Sequence, residues 1–209
     1  MMNIAVMLVV VFILSALSCY WLVRQQFNGW MDEPGERSLH HYPIPRLGGV
    51  AIWSSIAVGI YFSGAVLGSL PGMYWMLSAA ALWFIAILDD KTALSPLVKL
   101  LAQCVVGILS IWGGGLYFSS DAVYWLWPLL GLLVLIWGIN LYNFMDGMDG
   151  LAACMAVTGF GTLAIVGLLQ GHTPFAALCG LIVAGAAGFL CFNLPPARIF
   201  MGDSGSTLL

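Results

Sequence analysis

The length of the uninterrupted apolar runs constrains this chain more than any other feature. Seven can be read, at 3–23, 48–70, 73–88, 96–116, 122–141, 151–169 and 174–192, the third being the shortest. An α-helix needs about 20 residues to cross a bilayer, and these runs approach or reach that length. In hydrocarbon no water is available to the backbone, so a spanning segment must satisfy its own N–H and C=O groups, which a helix does unaided. The expected fold is all-α: a polytopic integral membrane protein with about seven transmembrane helices and an eighth just starting. Composition agrees, since 62% of the 209 residues are hydrophobic and only 7% are charged. An ordinary soluble domain is about half apolar and about a quarter charged.

The first run is not expected to be a cleaved leader. Its nearest basic residue, Arg24, follows the run instead of preceding it, and the run is too long for a signal core. It reads as a retained transmembrane helix. The five cysteines, Cys19, Cys104, Cys154, Cys179 and Cys191, lie in or at the ends of apolar runs, with no C-x-x-C spacing. An odd number of buried thiols argues against a disulfide framework or a zinc site, leaving small apolar packing residues.

With seven spans the connections alternate between two sides. One side receives 24–47, 89–95, 142–150 and the stretch from 193 onward. All six basic residues (Arg24, Arg37, Arg46, Lys91, Lys99 and Arg198) fall on or against it. The positive-inside rule makes that side cytoplasmic and puts the N-terminus outside. Eight of the nine acids are there as well, with Asp121 alone on the other face. Acids contribute little to orientation, so their placement needs another cause. A face that binds a charged, metal-bound substrate supplies one.

Four clusters make up that face. Asp89-Asp90-Lys91 closes the third span, where carboxylates meet the negative end of the helix dipole and cost about 0.3–1 kcal/mol each. Acids tolerated at a membrane edge generally mark a site. Downstream, Ser95-Pro96 has the form of an N-cap followed by proline at the first helical position, with Lys99 and Gln103 then on one face. In the second cluster Asn140, Asn143, Asp146 and Asp149 recur every three positions. A regular α-helix would fan them over half its surface. They share a ridge only if the segment tightens or breaks, and Gly147 and Gly150 favour a break. The third cluster, 198–206, puts Asp203 among Gly202, Ser204, Gly205 and Ser206, the composition of a loop entering a helix whose free N–H groups suit a phosphate. The fourth, 37–49, carries His40, His41 and Arg46, stays extended through Pro43 and Pro45, and ends in Gly48-Gly49. The two histidines lack a third ligand at zinc spacing.

Acids and amides from three loops, with Arg, Lys and His beside them, suit Mg²⁺ holding a diphosphate. That ion takes one or two protein carboxylates and completes its octahedron with phosphate oxygens and water. No P-loop, dinucleotide fingerprint or H-E-x-x-H sequence is present. A transporter is the competing class, but transporters hold their ligands near the bilayer midplane. Here the span interiors are nearly free of ionisable groups. An inactive fragment or scaffold is the other alternative.

The segments E-R-S-L-H-H-Y-P-I-P-R-L-G-G, L-D-D-K-T-A-L-S-P-L-V-K-L-L-A-Q, N-L-Y-N-F-M-D-G-M-D-G-L-A and P-A-R-I-F-M-G-D-S-G-S occur in that order from about residue 32 onward. Together they resemble the polyprenyl-phosphate N-acetylhexosamine-1-phosphate transferases, relatives of phospho-MurNAc-pentapeptide translocase. The first segment looks more like the branch that initiates O-antigen and related cell-envelope glycans. The resemblance implies a single transmembrane transferase domain over 1–209 in the bacterial inner membrane. Its reaction would be UDP-HexNAc plus undecaprenyl (polyprenyl) phosphate giving polyprenyl-diphospho-HexNAc and UMP. Its partners would be those two substrates and the membrane, with no nucleic acid, and a homodimer is allowed.

Carried over by position, the resemblance implies Mg²⁺, or Mn²⁺ in its place, near Asn143, Asp146 and Asp203, with Asn143 and Asp203 as first choice for direct ligands. Asp89 and Asp90 would orient or deprotonate the lipid phosphate, and Asp149 would help hold the nucleotide. Arg46, His40 and Lys99 would contact phosphates or lipid, with Gly202 and Ser204 in the phosphate-binding loop. Only Thr207, Leu208 and Leu209 follow the last cluster. The expectation is therefore a chain truncated at its C-terminus, without the family's later spans and His-containing loop.

Overall fold

A computed structural model describes residues 3–25, 29–34, 42–63, 70–113 and 126–209. Within the described residues each apolar run contributes a helix: α1 (Ile4–Gln25), α2 (Gly48–Ser63), α3 (Leu70–Thr92), α4 (Pro96–Gly113), α5 (Leu126–Met145), α6 (Leu151–Leu169) and α7 (Thr173–Asn193). A short α8 (Asp203–Ser206) follows. Of these, α1, α5, α6 and α7 are long and apolar enough to cross a membrane, while α2 and 96–111 of α4 are shorter apolar helices. The chain is an all-α, multi-pass membrane protein.

The ends of the helices differ from the ends of the apolar runs. The α3 ladder continues through Asp89 and Asp90 to Thr92, and α5 continues past Leu141 to Met145. Hydropathy marks the depth of lipid, whereas a helix continues until its hydrogen-bond ladder is interrupted. The α3–α4 junction follows its sequence signals: Pro96 is the first helical residue, and the Ser95 hydroxyl accepts the Val98 N–H at 3.4 Å. Between α1 and α2, strands β1 (Met31–Asp32) and β2 (Ile44–Pro45) pair antiparallel, Met31 opposite Pro45 and Asp32 opposite Ile44. The prolines had pointed to extended backbone but not to this pairing.

The core lies between α1, α2 and α7, where Met7, Val11, Ile52, Ile56, Leu181 and Phe189 are fully buried. Lipid tails are as apolar as leucine, so helices associate in a membrane through close packing and interhelical hydrogen bonds. Both are present: the Ser15 hydroxyl of α1 donates to the Gly185 carbonyl of α7 at 2.7 Å, and Gly188 admits the α1 backbone. Helix α6 packs on α7, and its Ala152 and Ala153 are buried in the same core cluster.

Helices α3, α4 and α5 form a second row, joined by polar contacts as well. Asn140 of α5 donates to the Gln103 side chain of α4 at 2.8 Å. Helix α8 touches both rows, through α2 on one side and α3 and α5 on the other. Gly48 and Gly49 open α2, and their N–H groups donate to the Phe200 and Met201 carbonyls at 2.9 and 2.7 Å. Gly49 lies so near α8 that a Cβ there would come within 2.1 Å of the Gly205 nitrogen. The functional candidates gather around this hub.

Candidate active site

Asp203, the first residue of α8, has a half-exposed carboxylate facing two environments. On one side Lys99 of α4 donates to its Oδ2 at 2.9 Å. The same ammonium contacts Asp89, which is buried at 6% exposure and whose other oxygen accepts the Leu94 N–H at 2.7 Å. Asp89 therefore fixes the turn between α3 and α4 and holds Lys99 in place. On the other side Asp203 borders a cavity.

Asp90 acts on the same loop through its backbone. Its Oδ1 accepts the Asp203 N–H at 2.7 Å and its Oδ2 accepts the Ser204 N–H at 2.9 Å. The amides expected to be free for a phosphate are thus occupied by an internal carboxylate. Gly202 precedes them at φ +74°, a region that favours glycine. A Cβ there would also come within 2.8 Å of the Arg46 carbonyl.

The break after α5 occurs where the glycines indicated: the helix ends at Met145, and 146–150 form a turn. The four polar residues then separate. Asn140 turns to Gln103, while Asn143 accepts the Ser206 hydroxyl at 2.7 Å. Asp146 enters the cavity wall, and Asp149 accepts the Ala197 N–H at 2.9 Å. Buried Asn193, at the end of α7, joins this turn to the next loop. Its Oδ1 accepts the Gly150 N–H and its Nδ2 donates to the Ile199 carbonyl, each at 2.9 Å.

The cavity measures about 860 Å³, within the range of small-molecule sites. Asp90, Asn143, Asp146, Asp149, Gly202 and Asp203 line it, together with Arg46, Arg198 and Tyr42. Arg46 pairs with Asp32 at 2.9 Å, and Arg198 lies 5.1 Å above the Phe192 ring. Lys99, Asp89 and Ser204 are not part of the wall. His40 and Asp121 lie outside the described residues. Of the remaining candidates, the structure brings Arg46, Asp90, Asn143, Asp146, Asp149, Gly202 and Asp203 to one cavity and sets Asp89, Lys99 and Ser204 behind it.

The two carboxyls of the cavity wall nearest Asn143 differ in their surroundings. Burial pushes the Asp146 carboxyl up to about 8, and the charges of Asp203 and Asp90 add to that. Burial acts upward on Asp203 too, but hydrogen bonding and the Lys99 ammonium prevail and hold it below the usual carboxylate range. Among the described residues no group of three or more His, Cys, Asp or Glu is placed to hold a metal alone. Mg²⁺ does not require one, because it takes one or two carboxylates with waters and substrate oxygens. The amide oxygen of Asn143, beside the carboxylates of Asp146 and Asp203 on the cavity wall, fits such an ion.

Sequence reasoning missed several residues. Asn193 follows an apolar run and resembles an ordinary helix end; only its two cross-loop bonds reveal its position. Arg198 was noted as a base in its loop, but its place on the cavity wall depends on folding. Ser206 carried no signal of its partnership with Asn143.

Comparison with known proteins decides the family, because the sequence profile of glycosyl transferase family 4 matches residues 72–209. The chain belongs to glycosyl transferase family 4. A family 4 relative in Bacillus subtilis strain 168, described as a probable undecaprenyl-phosphate N-acetylglucosaminyl 1-phosphate transferase, is 37% identical over 190 residues. That match covers 87% of this chain and 52% of the relative. The undecaprenyl-phosphate α-N-acetylglucosaminyl 1-phosphate transferase of Escherichia coli K12 is 30% identical over 195 residues, with the same two shares, 87% and 52%. A phospho-N-acetylmuramoyl-pentapeptide-transferase of Geobacillus thermodenitrificans is 29% identical over 227 residues, covering 98% of this chain and 70% of that protein. The chain thus spans about half the length of the first two relatives. The matched part runs from the third residue of α3 through α8, and includes every cavity carboxylate except that of Asp32.

Proposed function

We propose that this family 4 protein transfers HexNAc-1-phosphate from a UDP-HexNAc to undecaprenyl phosphate, giving the lipid diphosphate sugar and UMP. The reaction would take place on the cytoplasmic side of a bacterial inner membrane, with the N-terminus outside, and would initiate a cell-envelope glycan. The observation that carries this reading is the convergence of Asn143, Asp146 and Asp203 with Arg46 and Arg198 around one cavity at the ends of apolar helices. The names of the relatives supply the substrate class, and the one-sided Lys and Arg pattern supplies the orientation.

In this reaction a lipid phosphate oxygen attacks the β-phosphorus of the sugar nucleotide. The bond from that phosphorus to the bridging oxygen breaks, and UMP leaves with the electron pair. A phosphate monoester is already largely ionised at pH 7, so little base catalysis is required. Positioning and charge neutralisation do most of the work in phosphoryl transfer. Asn143, Asp146 and Asp203 would hold Mg²⁺, or Mn²⁺ in its place, which when bound supplies positive charge to the phosphate oxygens. Arg46 and Arg198, which line the same cavity, would bind anionic oxygens. Lys99 holds the Asp203 carboxylate from behind, so that it meets the cavity in one orientation.

The test supplies labelled UDP-GlcNAc, Mg²⁺ and undecaprenyl phosphate to membranes containing the protein, then repeats it with other UDP-HexNAc donors. Butanol-extractable label accompanied by an equal release of UMP is expected. Correctly inserted protein that yields no lipid-linked label from any donor would refute the assignment.

A further inference from the structure

The loop from 197 to 204 carries Arg198 and Asp203 to the cavity, and two carboxylates from different elements hold its two ends. Asp149, in the turn after α5, accepts the Ala197 N–H at 2.9 Å. Asp90, near the end of α3, accepts the Asp203 and Ser204 N–H groups at 2.7 and 2.9 Å. Between these points the loop is supported by backbone and side-chain contacts. Asn193 donates to the Ile199 carbonyl, Phe200 donates to the Pro45 carbonyl at 2.8 Å, and Gly48 and Gly49 donate to the Phe200 and Met201 carbonyls.

We propose that Asp90 and Asp149 are positioning residues that pin this loop at its two ends, setting Asp203 and Arg198 on the cavity wall, rather than groups that act on phosphate themselves. The proposal rests on the transferase reading for its activity arm only. Three of the oxygens on these two carboxylates are engaged by backbone amides, and such charge-assisted bonds are short and directional. Asp90 is the more constrained, because both of its oxygens serve neighbouring N–H groups of one turn. Asp149 uses a single oxygen.

That difference gives the two positions opposite tolerances for asparagine. An amide side chain has one acceptor oxygen and two N–H donors. At 149 the oxygen of asparagine can accept the Ala197 N–H, and the bond persists in neutral form. At 90 the amide nitrogen would face a backbone N–H, donor against donor, so one of the two bonds is lost and its partner amide is left without an acceptor. A residue acting through its negative charge would show no such asymmetry.

The experiment compares Asp90→Asn, Asp90→Ala, Asp149→Asn and Asp149→Ala in the purified protein. Hydrogen–deuterium exchange of peptides covering 196–206 is the first readout and turnover is the second. At 149, asparagine should recover most of what alanine loses in both readouts. At 90, asparagine should resemble alanine, with exchange at the Asp203 and Ser204 amides rising about tenfold or more, as loss of a hydrogen bond to a charged group implies. In turnover the Asp90 changes should lower kcat at saturating substrate, because Asp203 is displaced while Arg46 and the cavity remain. Equal damage from asparagine and alanine at 149, or unaltered exchange at 203 and 204 in both Asp90 variants, would overturn the proposal. If the parent protein shows no transfer, the transferase reading fails, and the exchange pattern still decides the pinning.

Discussion

The close approach of α2 to α8 at Gly49 gives a sharp test of how the site is held. Gly49→Ala adds one methyl where α2 meets α8, and that Cβ would come within 2.1 Å of the Gly205 nitrogen and 2.4 Å of the Ser204 carbonyl carbon. These neighbours are backbone atoms that cannot rotate away, so α2 and α8 must separate by more than an ångström. Overpacking of this kind costs about 1–3 kcal/mol. The separation also stretches the Gly49 N–H bond to the Met201 carbonyl, now 2.7 Å, worth about another 1 kcal/mol. The sum is about 2–4 kcal/mol. For a chain of this size each kcal/mol shifts the midpoint by about 2–4 °C, so a fall on the order of 4–16 °C is expected in detergent.

Activity should fall further than stability suggests, because the displaced element carries Asp203. Gly159→Ala on α6 is the control: a Cβ there meets nothing within 4 Å. Replacing a helical glycine with alanine should leave the midpoint unchanged or raise it slightly. The assay is thermal unfolding of the two variants and the parent in one detergent, with turnover measured alongside. If Gly49→Ala melts and turns over like Gly159→Ala, the proposed α2–α8 contact does not exist and the hub is wrongly described.

Asp203→Asn should nearly abolish turnover and weaken Mg²⁺ protection against thermal unfolding, while leaving the protein inserted; chelator-insensitive activity in this variant would count against the metal assignment. Burial raises the Asp146 carboxyl to about 8, so folding retains a proton there that the unfolded chain releases near pH 4. Without divalent cation, stability should therefore decline as pH rises toward about 8, a slope that Mg²⁺ flattens and Asp146→Asn removes, checked by unfolding midpoints across pH 6 to about 9. Asn193→Leu leaves the Gly150 N–H and Ile199 carbonyl unpartnered in the interior, each costing about 1–3 kcal/mol. Its unfolding midpoint should fall, and Asn193→Asp, which keeps the acceptor for Gly150, should fall less.

Much of the architecture was legible in the chain itself. Apolar runs of membrane length dictate helices because lipid offers the backbone no alternative partner, and this holds for each run separately. Ser95-Pro96 announced the start of α4, and Gly147 and Gly150 announced the break after α5, because caps and turns depend on a few neighbouring residues. The grouping of Asp90, Asp146, Asp149 and Asp203 was also readable in outline, since the polar clusters that carry them stand at the ends of apolar runs. The resemblance pointed to the family, and the family match agrees with it.

Tertiary structure alone decided how the acids divide their work. In sequence Asp89 and Asp90 are equivalent neighbours at a helix end. In the fold Asp89 is buried against Lys99 and the Leu94 amide, while Asp90 reaches across to the Asp203 and Ser204 amides. Asp146 and Asp149 each begin an Asp-Gly pair, yet the former is buried on the cavity wall near Asp203 and Asp90 and the latter holds the start of the next loop. The reason is physical: helix formation depends on local pattern and solvent, but the partner of a carboxylate depends on which backbone amides lie within about 3 Å of it. The amides of Ala197, Asp203 and Ser204 are 48 to 114 positions away along the chain. Only the packing of α2, α3 and α5 around α8 brings them close enough to choose.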